Sequence, residues 1–358
     1  MFRQGGLIVP EPTDTVPIAV GFTDRGGHRR PTLADVAALA GVSEATASRV
    51  LNGSAPVSCE TRGQVEDAMT RLGYVRRRAP HAQQPRGGSV AAIVTESSPR
   101  FFSDPYFARL LWGASRPLSA AGYQLTFLAV HDQNEYAAAE RYIRGGSTGG
   151  VLLVSAHGRD PLLTVLQTAA IPTVACGRPL KPCSAWYVDV DNTGGARTAV
   201  EHLVRCGRRR VATICGPMDM SSGIDRLAGY REVVQGAGRP QLVGQGDYSQ
   251  HSGEHAMTRL LERRPDLDAV FVASDLMAAG ALRALHRAGR RVPEDVAVVG
   301  FDDDPVARHT MPPLTTVRQP VEEQGATMAR RVMALIENRD VPQVENNLPT
   351  SLVVRESA

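Results

Sequence analysis

Apolar residues recur at helical spacing three times in the forty residues that begin at Thr32. Leu33, Val36, Ala37 and Ala40 stand at i, i+3, i+4 and i+7, which predicts one apolar stripe on a short helix, with Pro31 before it and Thr32 placed to cap it. Gly41 supplies a turn. Ser43 can cap a second helix whose Ala47, Val50 and Leu51 face inward, and a third repeats the spacing at Val65, Ala68, Met69 and Leu72. Three such helices bury one small core. The second would present Ser43, Glu44, Ala45 and Arg49 outward at its start, where a recognition helix meets base edges in the major groove of DNA. Spacing alone also fits a helical bundle that binds another protein.

After Gly73-Tyr74 the periodicity stops. Arg76-Arg-Arg-Ala-Pro-His-Ala-Gln-Gln-Pro-Arg-Gly-Gly88 has two prolines and no apolar stripe, which reads as a linker. From Ser89 onward short apolar runs alternate with helical patterns. Strands are predicted at 90–94, 124–130, 151–154, 186–190, 211–215, 269–273 and 296–300. Helices are predicted near 106–121, 194–206, 253–263 and 276–288, several followed by the glycine that stops a helix. Such alternation implies parallel sheets covered on both faces. Aspartates recur just past the strands: Asp189 and Asp191, Asp275, and Asp302-Asp-Asp304. One aspartate is an ordinary turn or cap residue, but several at the carboxyl edge of a sheet suggest a polar cleft, because open α/β sheets bind ligands there. No phosphate loop and no glycine fingerprint follows the first strand, and the run Gly145-Gly-Ser-Thr-Gly149 precedes an apolar strand rather than following one as a nucleophile elbow does, so nothing marks a nucleotide or acyl-transfer site.

Length and composition narrow the class. A chain of 358 residues exceeds one ordinary core and suggests two or three domains. It contains no apolar run of membrane-spanning length. Residues 1–30 carry Arg3, Arg25, Arg29 and Arg30 among glycines and prolines, and the apolar piece from Gly5 to Pro10 is too short for a signal peptide, so a disordered extension on a cytoplasmic protein is expected. Five cysteines, an odd number without a CxxC pair, fit reduced thiols. His251 and His255 have helical metal-ligand spacing but no third ligand nearby, so no metal and no cofactor is expected. Between Pro31 and Gly88 seven arginines face five acids, a balance of +2 that is weak for holding phosphates by bulk charge. Positioned contacts and dimerisation would have to supply the rest.

The first block, from Thr32-Leu-Ala-Asp-Val-Ala to Ser48-Arg-Val-Leu-Asn-Gly53, resembles the DNA-binding head of the LacI family of bacterial regulators. The likeness continues through Asp104-Pro-Tyr-Phe107, Val190-Asp-Asn-Thr-Gly194, Arg226-Leu-Ala-Gly-Tyr230, Gly246-Asp-Tyr-Ser249, Ala273-Ser-Asp-Leu-Met277, Val298-Val-Gly-Phe-Asp-Asp303 and Pro313-Leu-Thr-Thr-Val-Arg-Gln-Pro320. It therefore covers nearly everything after Pro31. The resemblance implies an α/β protein with a three-helix helix-turn-helix head and a periplasmic-binding-protein-like core of two doubly wound parallel-sheet subdomains joined by three crossovers. The domains implied are a head over 31–75, a hinge over 76–88, and a core over 89–358. Within the core, one subdomain would take 89–204 and 317–345, the other 205–316 and 346–358.

The function implied is a homodimeric transcriptional regulator, a repressor, whose grip on double-stranded operator DNA is controlled by a small polar effector of the sugar class. Thr32, Ser43, Glu44, Ala45, Thr46, Ser48, Arg49 and Asn52 would meet DNA, with Arg76, Arg77 and Arg78 in the linker. Arg226 and Asp302 match positions that grip effector hydroxyls, and Tyr248 an aromatic that stacks on the ligand; Tyr106, Phe107, Ser274, Asp275 and Gln319 would complete the wall. Three departures stand out. Gly177 replaces an aspartate before Arg178-Pro179, and Ser274 replaces an asparagine. The window 78–85, which in relatives forms a hinge helix with a leucine wedge, has no leucine and carries Pro80 and Pro85, so an extended linker that bends DNA little is expected. A solute-binding protein or a sugar-acting enzyme on the same core remains the alternative; export would mark the first and turnover of ligand the second.

Overall fold

The computed structural model describes residues 32–52, 58–72, 88–158, 160–180, 186–339 and 347–358. The expected extension at 1–30 and the linker arginines Arg76, Arg77 and Arg78 lie outside the described residues. Two compact units divide at residue 79.

The head unit contains α1 (Leu33–Leu39), α2 (Glu44–Asn52) and α3 (Cys59–Leu72). Thr32 caps α1 as expected: its hydroxyl accepts the Asp35 N–H at 3.3 Å while the Asp35 carboxylate accepts the Thr32 N–H at 2.7 Å. Gly41 turns the chain with φ of 68°. Val36, Ala37, Ala47, Val65 and Ala68 are buried against one another, with Leu33, Ala40, Val50, Met69 and Leu72 partly covered around them. Every apolar position expected to face inward and described here does so.

The core unit is built on two six-stranded sheets. The first contains β1 (Ser89–Val94), β2 (Gln124–Ala129), β3 (Gly150–Val154), β4 (Thr173–Cys176), β5 (Trp186–Val190) and β11 (Asn347–Leu348), in the order β11-β5-β4-β3-β1-β2, all parallel. The second contains β6 (Val211–Cys215), β7 (Val243–Gln245), β8 (Ala269–Val272), β9 (Ala297–Asp302), β10 (Thr315–Arg318) and β12 (Ser351–Val353), in the order β12-β10-β9-β8-β6-β7, with only β12 antiparallel. Around the first sheet lie α4 (Ser98–Ser103), α5 (Pro105–Ala120), α6 (Gln133–Arg144), α7 (Leu162–Thr168) and α13 (Val321–Ile336). Around the second lie α8 (Asn192–Arg205), α9 (Ser221–Gly236), α10 (Gln250–Arg263), α11 (Asp275–Arg287) and α12 (Pro305–His309). The strands are buried on both faces, which is why they read as continuous apolar runs rather than alternating ones.

The three crossovers are present, but their places differ from the expected borders. The first was expected after residue 204. However, α8 packs on α9 and on the second sheet, burying Ala196, Ala199, Val200 and Leu203 with β6, β8 and β9, so the chain crosses before residue 192. Thr315–Arg318 pairs with β9, which puts the second crossing at 319–320; β11 and β12 belong to different sheets, which puts the third at 349–350. The borders moved because strand pairing and the buried face of a helix decide membership, and neither is visible in one segment's pattern.

Candidate functional site

A cleft lies along the seam between the two sheets of the core, with about 830 Å³ of space free of protein atoms, open solvent at its mouth included. Its walls are the carboxyl ends of strands from both sheets, the position expected from the aspartates. From the first half come Asp104 and Tyr106 at the start of α5, Cys176 to Pro179 from the end of β4 onward, and Asp189 near the end of β5, with Asn192 just past the crossing at the start of α8. From the second come Ser221, Ser222 and Arg226 of α9, Tyr248 after β7, Ser274 after β8 and Asp302 at the end of β9. Gln319 follows β10 at the seam.

Arg226 organises the floor. Its Nε donates to Asn192 Oδ1 at 2.9 Å, and one terminal nitrogen donates to the Ala273 carbonyl at 2.6 Å and lies 3.4 Å from Asp302 Oδ1. The guanidinium stands 3.7 Å above the Phe301 ring. Asp302 also accepts from Gln319 Nε2 at 2.5 Å. Burial pushes the Asp302 carboxyl well above the usual carboxylate range, and the Arg226 charge opposes that rise. Tyr248 shares its hydroxyl with Ser222 at 2.9 Å, and Tyr106 places its own 3.2 Å from Cys176 Sγ and 3.4 Å from Gln324 Oε1. Tyr248 and Asp302 hold positive φ, 70° and 120°, as does Ser155 on the cleft wall at 62°. Such backbones cost about 1–3 kcal/mol each and persist where the surroundings over-determine them, a pattern of binding sites. The result is a buried fork of donors, a carboxylate and two aromatic rings around one cavity, the equipment for a ligand with hydroxyls on its edge and an apolar face.

Seven of the eight expected effector residues line this cleft: Tyr106, Phe107, Arg226, Tyr248, Ser274, Asp302 and Gln319. Ser274 does so while capping α11, accepting the Met277 N–H at 3.2 Å. Asp275 is a correction. It is fully buried behind the cleft wall, its carboxylate accepting the Thr316 hydroxyl at 2.6 Å and the Asp304 N–H at 2.9 Å, so it braces the loop that carries Asp302. A side chain just past a strand end can point into the cleft or back beneath it, and the sequence does not distinguish the two.

Asp189, one of the aspartates expected at the sheet edge, lies in the wall, whereas Gln324 and Arg100 there were not anticipated. Asp189 accepts from the Arg178 N–H at 2.9 Å and from Asn192 Nδ2 at 2.9 Å, fixing the turn opposite Arg226. Its place at the end of an apolar strand is the signal that singles it out in the sequence. Gln324 and Arg100 sit on α13 and α4, helices that the pattern did not reveal. Gly177, where an aspartate was expected, lines the cleft at φ of 85°, a conformation that disfavours that side chain.

In the head, Glu44, Ala45 and Arg49 are exposed along α2, with Ser48 partly exposed on the same face and Ala47 turned inward. Ser43 accepts the Thr46 N–H at 3.1 Å, so its hydroxyl is occupied in capping α2. The Asn52 side chain lies outside the described residues. Among the described residues no helix is long and apolar enough to cross a membrane.

Known proteins match both units. Residues 32–77 match the description "Bacterial regulatory proteins, lacI family", and residues 200–358 match "Periplasmic binding protein-like domain". The HTH-type transcriptional regulator CelR of Thermobifida fusca is 47% identical over 336 residues, covering 92% of this chain and 99% of CelR. The ribose operon repressor of Halalkalibacterium halodurans is 32% identical over 333 residues, 91% and 96% of the two chains. Among solved structures, a transcriptional regulator CelR–cellobiose complex superposes with a TM-score of 0.74 at 46% identity, covering 92% of this chain and 100% of that one. The lac repressor dimer bound to operator and the anti-inducer ONPF superposes with a TM-score of 0.66 at 27% identity, covering 92% and 99%. Coverage of both units at this identity places the head and the core in one lineage: the chain belongs to the LacI family and is a DNA-binding transcriptional regulator rather than an enzyme.

Proposed function

We propose that the chain is a repressor that holds a roughly palindromic operator as a dimer, and that a small sugar of the cellobiose type, binding in the cleft, changes that hold. The observation that carries the effector is the Arg226, Asp302 and Gln319 array facing Tyr248 and Tyr106 in one cavity. A planar guanidinium offers paired donors, a carboxylate accepts from vicinal hydroxyls, and an aromatic face covers the apolar side of a pyranose ring. The CelR relative is named in complex with cellobiose, which supports a β-linked glucose disaccharide as the first ligand to try. Calorimetry with cellobiose, set beside gel-shift titration of an operator with and without it, tests both halves. Saturable binding together with a shifted operator affinity is expected; operator binding indifferent to a sugar that does bind would remove the regulatory role.

For the head, we infer that Glu44, Ala45 and Arg49 read base edges while Thr32, Ser43, Thr46, Ser48 and Asn52 position the helix on the backbone, with Arg76, Arg77 and Arg78 acting through phosphates or the minor groove. Glu44 can accept from a cytosine amino group and Ala45 can touch a thymine methyl. Arg49→Ala is expected to weaken operator binding by about 1–3 kcal/mol, the range for a bidentate guanine contact. An unchanged footprint in that variant would take Arg49 out of the role.

A further inference from the structure

Polar contacts join the two halves of the core at the rim of the cleft, and one contains an imidazole between two carboxylates. His157, just past β3, places Nδ1 2.8 Å from Asp219 Oδ2, which follows β6 in the other half. The next residue repeats the bridge through the backbone, with the Gly158 N–H donating to the Asp219 carbonyl at 2.8 Å. On its other side Nε2 lies 3.7 Å from Glu96 Oε1, past β1. Glu96 is itself fixed, accepting from the Ser155 hydroxyl at 2.6 Å and lying 3.2 Å from Arg100 Nε. Among the described residues Asp160, in the same loop as His157, also acts on it.

A neutral imidazole has one N–H and can serve only one of these carboxylates; the imidazolium serves both. Parting the two halves would carry Asp219 away with the second while Glu96 and His157 stayed together in the first. We propose that His157 is a positioning residue whose protonated ring clasps the two halves over the cleft, so that sugar binding takes up a proton. The inference rests on the proposed binding of a sugar in the cleft and adds that the two halves close over it.

The electrostatics give the sign. In the closed form the Glu96 and Asp219 carboxylates, working against burial, raise His157 to about 9. Loss of Asp219 on opening lowers it toward its ordinary value. A group raised in the closed form stabilises that form fully below its open-form value, and the contribution is lost as pH climbs through about 9. Among the other cleft groups, burial raises Asp104 only to about 6 and Cys176 to about 12, and the Asp302 carboxyl, also raised by burial, is untouched by the His157 and Asp219 variants.

Cellobiose affinity of the full chain, measured by calorimetry between about pH 7 and about pH 9.5, is therefore expected to fall about tenfold in the wild type, against a ceiling of about 60-fold over that window if His157 falls the whole way to the ordinary imidazole value. In His157→Gln and Asp219→Asn the profile should be flat, with affinity at neutral pH already reduced to the alkaline wild-type level. Parallel profiles in wild type and variants would overturn the clasp. If cellobiose binds none of the proteins, the effector reading fails, and histidine NMR of the ligand-free chain decides the clasp by itself. A His157 ring that titrates above its value in Asp219→Asn, by as much as the ligand-free chain samples the closed form, upholds it; identical titration in the two proteins overturns it.

Discussion

Replacing Arg226 by alanine is expected to destabilise the core by about 3–5 kcal/mol and to abolish sugar binding, because it removes one partner of a buried ion pair and leaves the other uncompensated. Three groups lose their donor at once: the Asn192 amide oxygen, the Ala273 carbonyl and the Asp302 carboxylate. Among the described residues Asp302 would keep its side-chain hydrogen bond from Gln319. Arg226→Lys restores the charge but not the planar fork that reaches Asn192 and Ala273 together, so it should recover part of the stability and little of the binding. Asp302→Asn is milder, with about 1.5–3 kcal/mol of sugar affinity lost, the worth of a charge-assisted hydrogen bond. Urea unfolding read beside calorimetry checks the series. A stable Arg226→Ala variant with wild-type cellobiose affinity would remove Arg226 from both roles.

Gly325→Ala is expected to destabilise the core by about 3 kcal/mol, near the top of the range for overpacking. A methyl group there would lie 2.0 Å from the Leu110 carbonyl oxygen, and the reciprocal position on α5, Gly113, would place one 2.1 Å from the Glu322 carbonyl oxygen. Both obstacles are backbone, which cannot rotate away, so α5 and α13 would have to separate. The damage should reach the cleft, because Gln324 adjoins the substituted residue and bonds Tyr106 at 3.4 Å and the Val188 carbonyl at 3.1 Å. Gly236→Ala is the matched control: the same methyl group at the end of α9 meets no atom within 4 Å. It should leave stability unchanged or raise it by about 0.4–1 kcal/mol through lost freedom of the unfolded chain. Equal urea midpoints for the two variants would show that the helix pair tolerates separation.

Local chemistry made much of this protein legible before any coordinates. The head is readable because each of its helices carries its own stripe and Gly41 its own turn, so Val36, Ala47 and Val65 meet without help from distant chain. The same holds for the long buried strands, whose β-branched runs announce sheets covered on both faces. Short or marginal elements escaped: β4 has four residues and β7 three, too few for a period, and α9 offers no apolar stripe because it is covered on several sides, burying Ser221, Arg226 and Tyr230 as well as Leu227 and Val234. A pattern of side chains reports which face is apolar, not which neighbour will cover it. For that reason α8 was assigned to the wrong half of the core, and Asp275 was placed in the wall of the cleft rather than behind it. The chemistry of Arg226 and Asp302 was visible in the residues themselves, but their convergence required a helix and a strand end more than seventy positions apart to meet at one seam. The clasp at His157 depends on that closure still more, since its partners Glu96 and Asp219 come from separate sheets and only tertiary packing sets an imidazole between them.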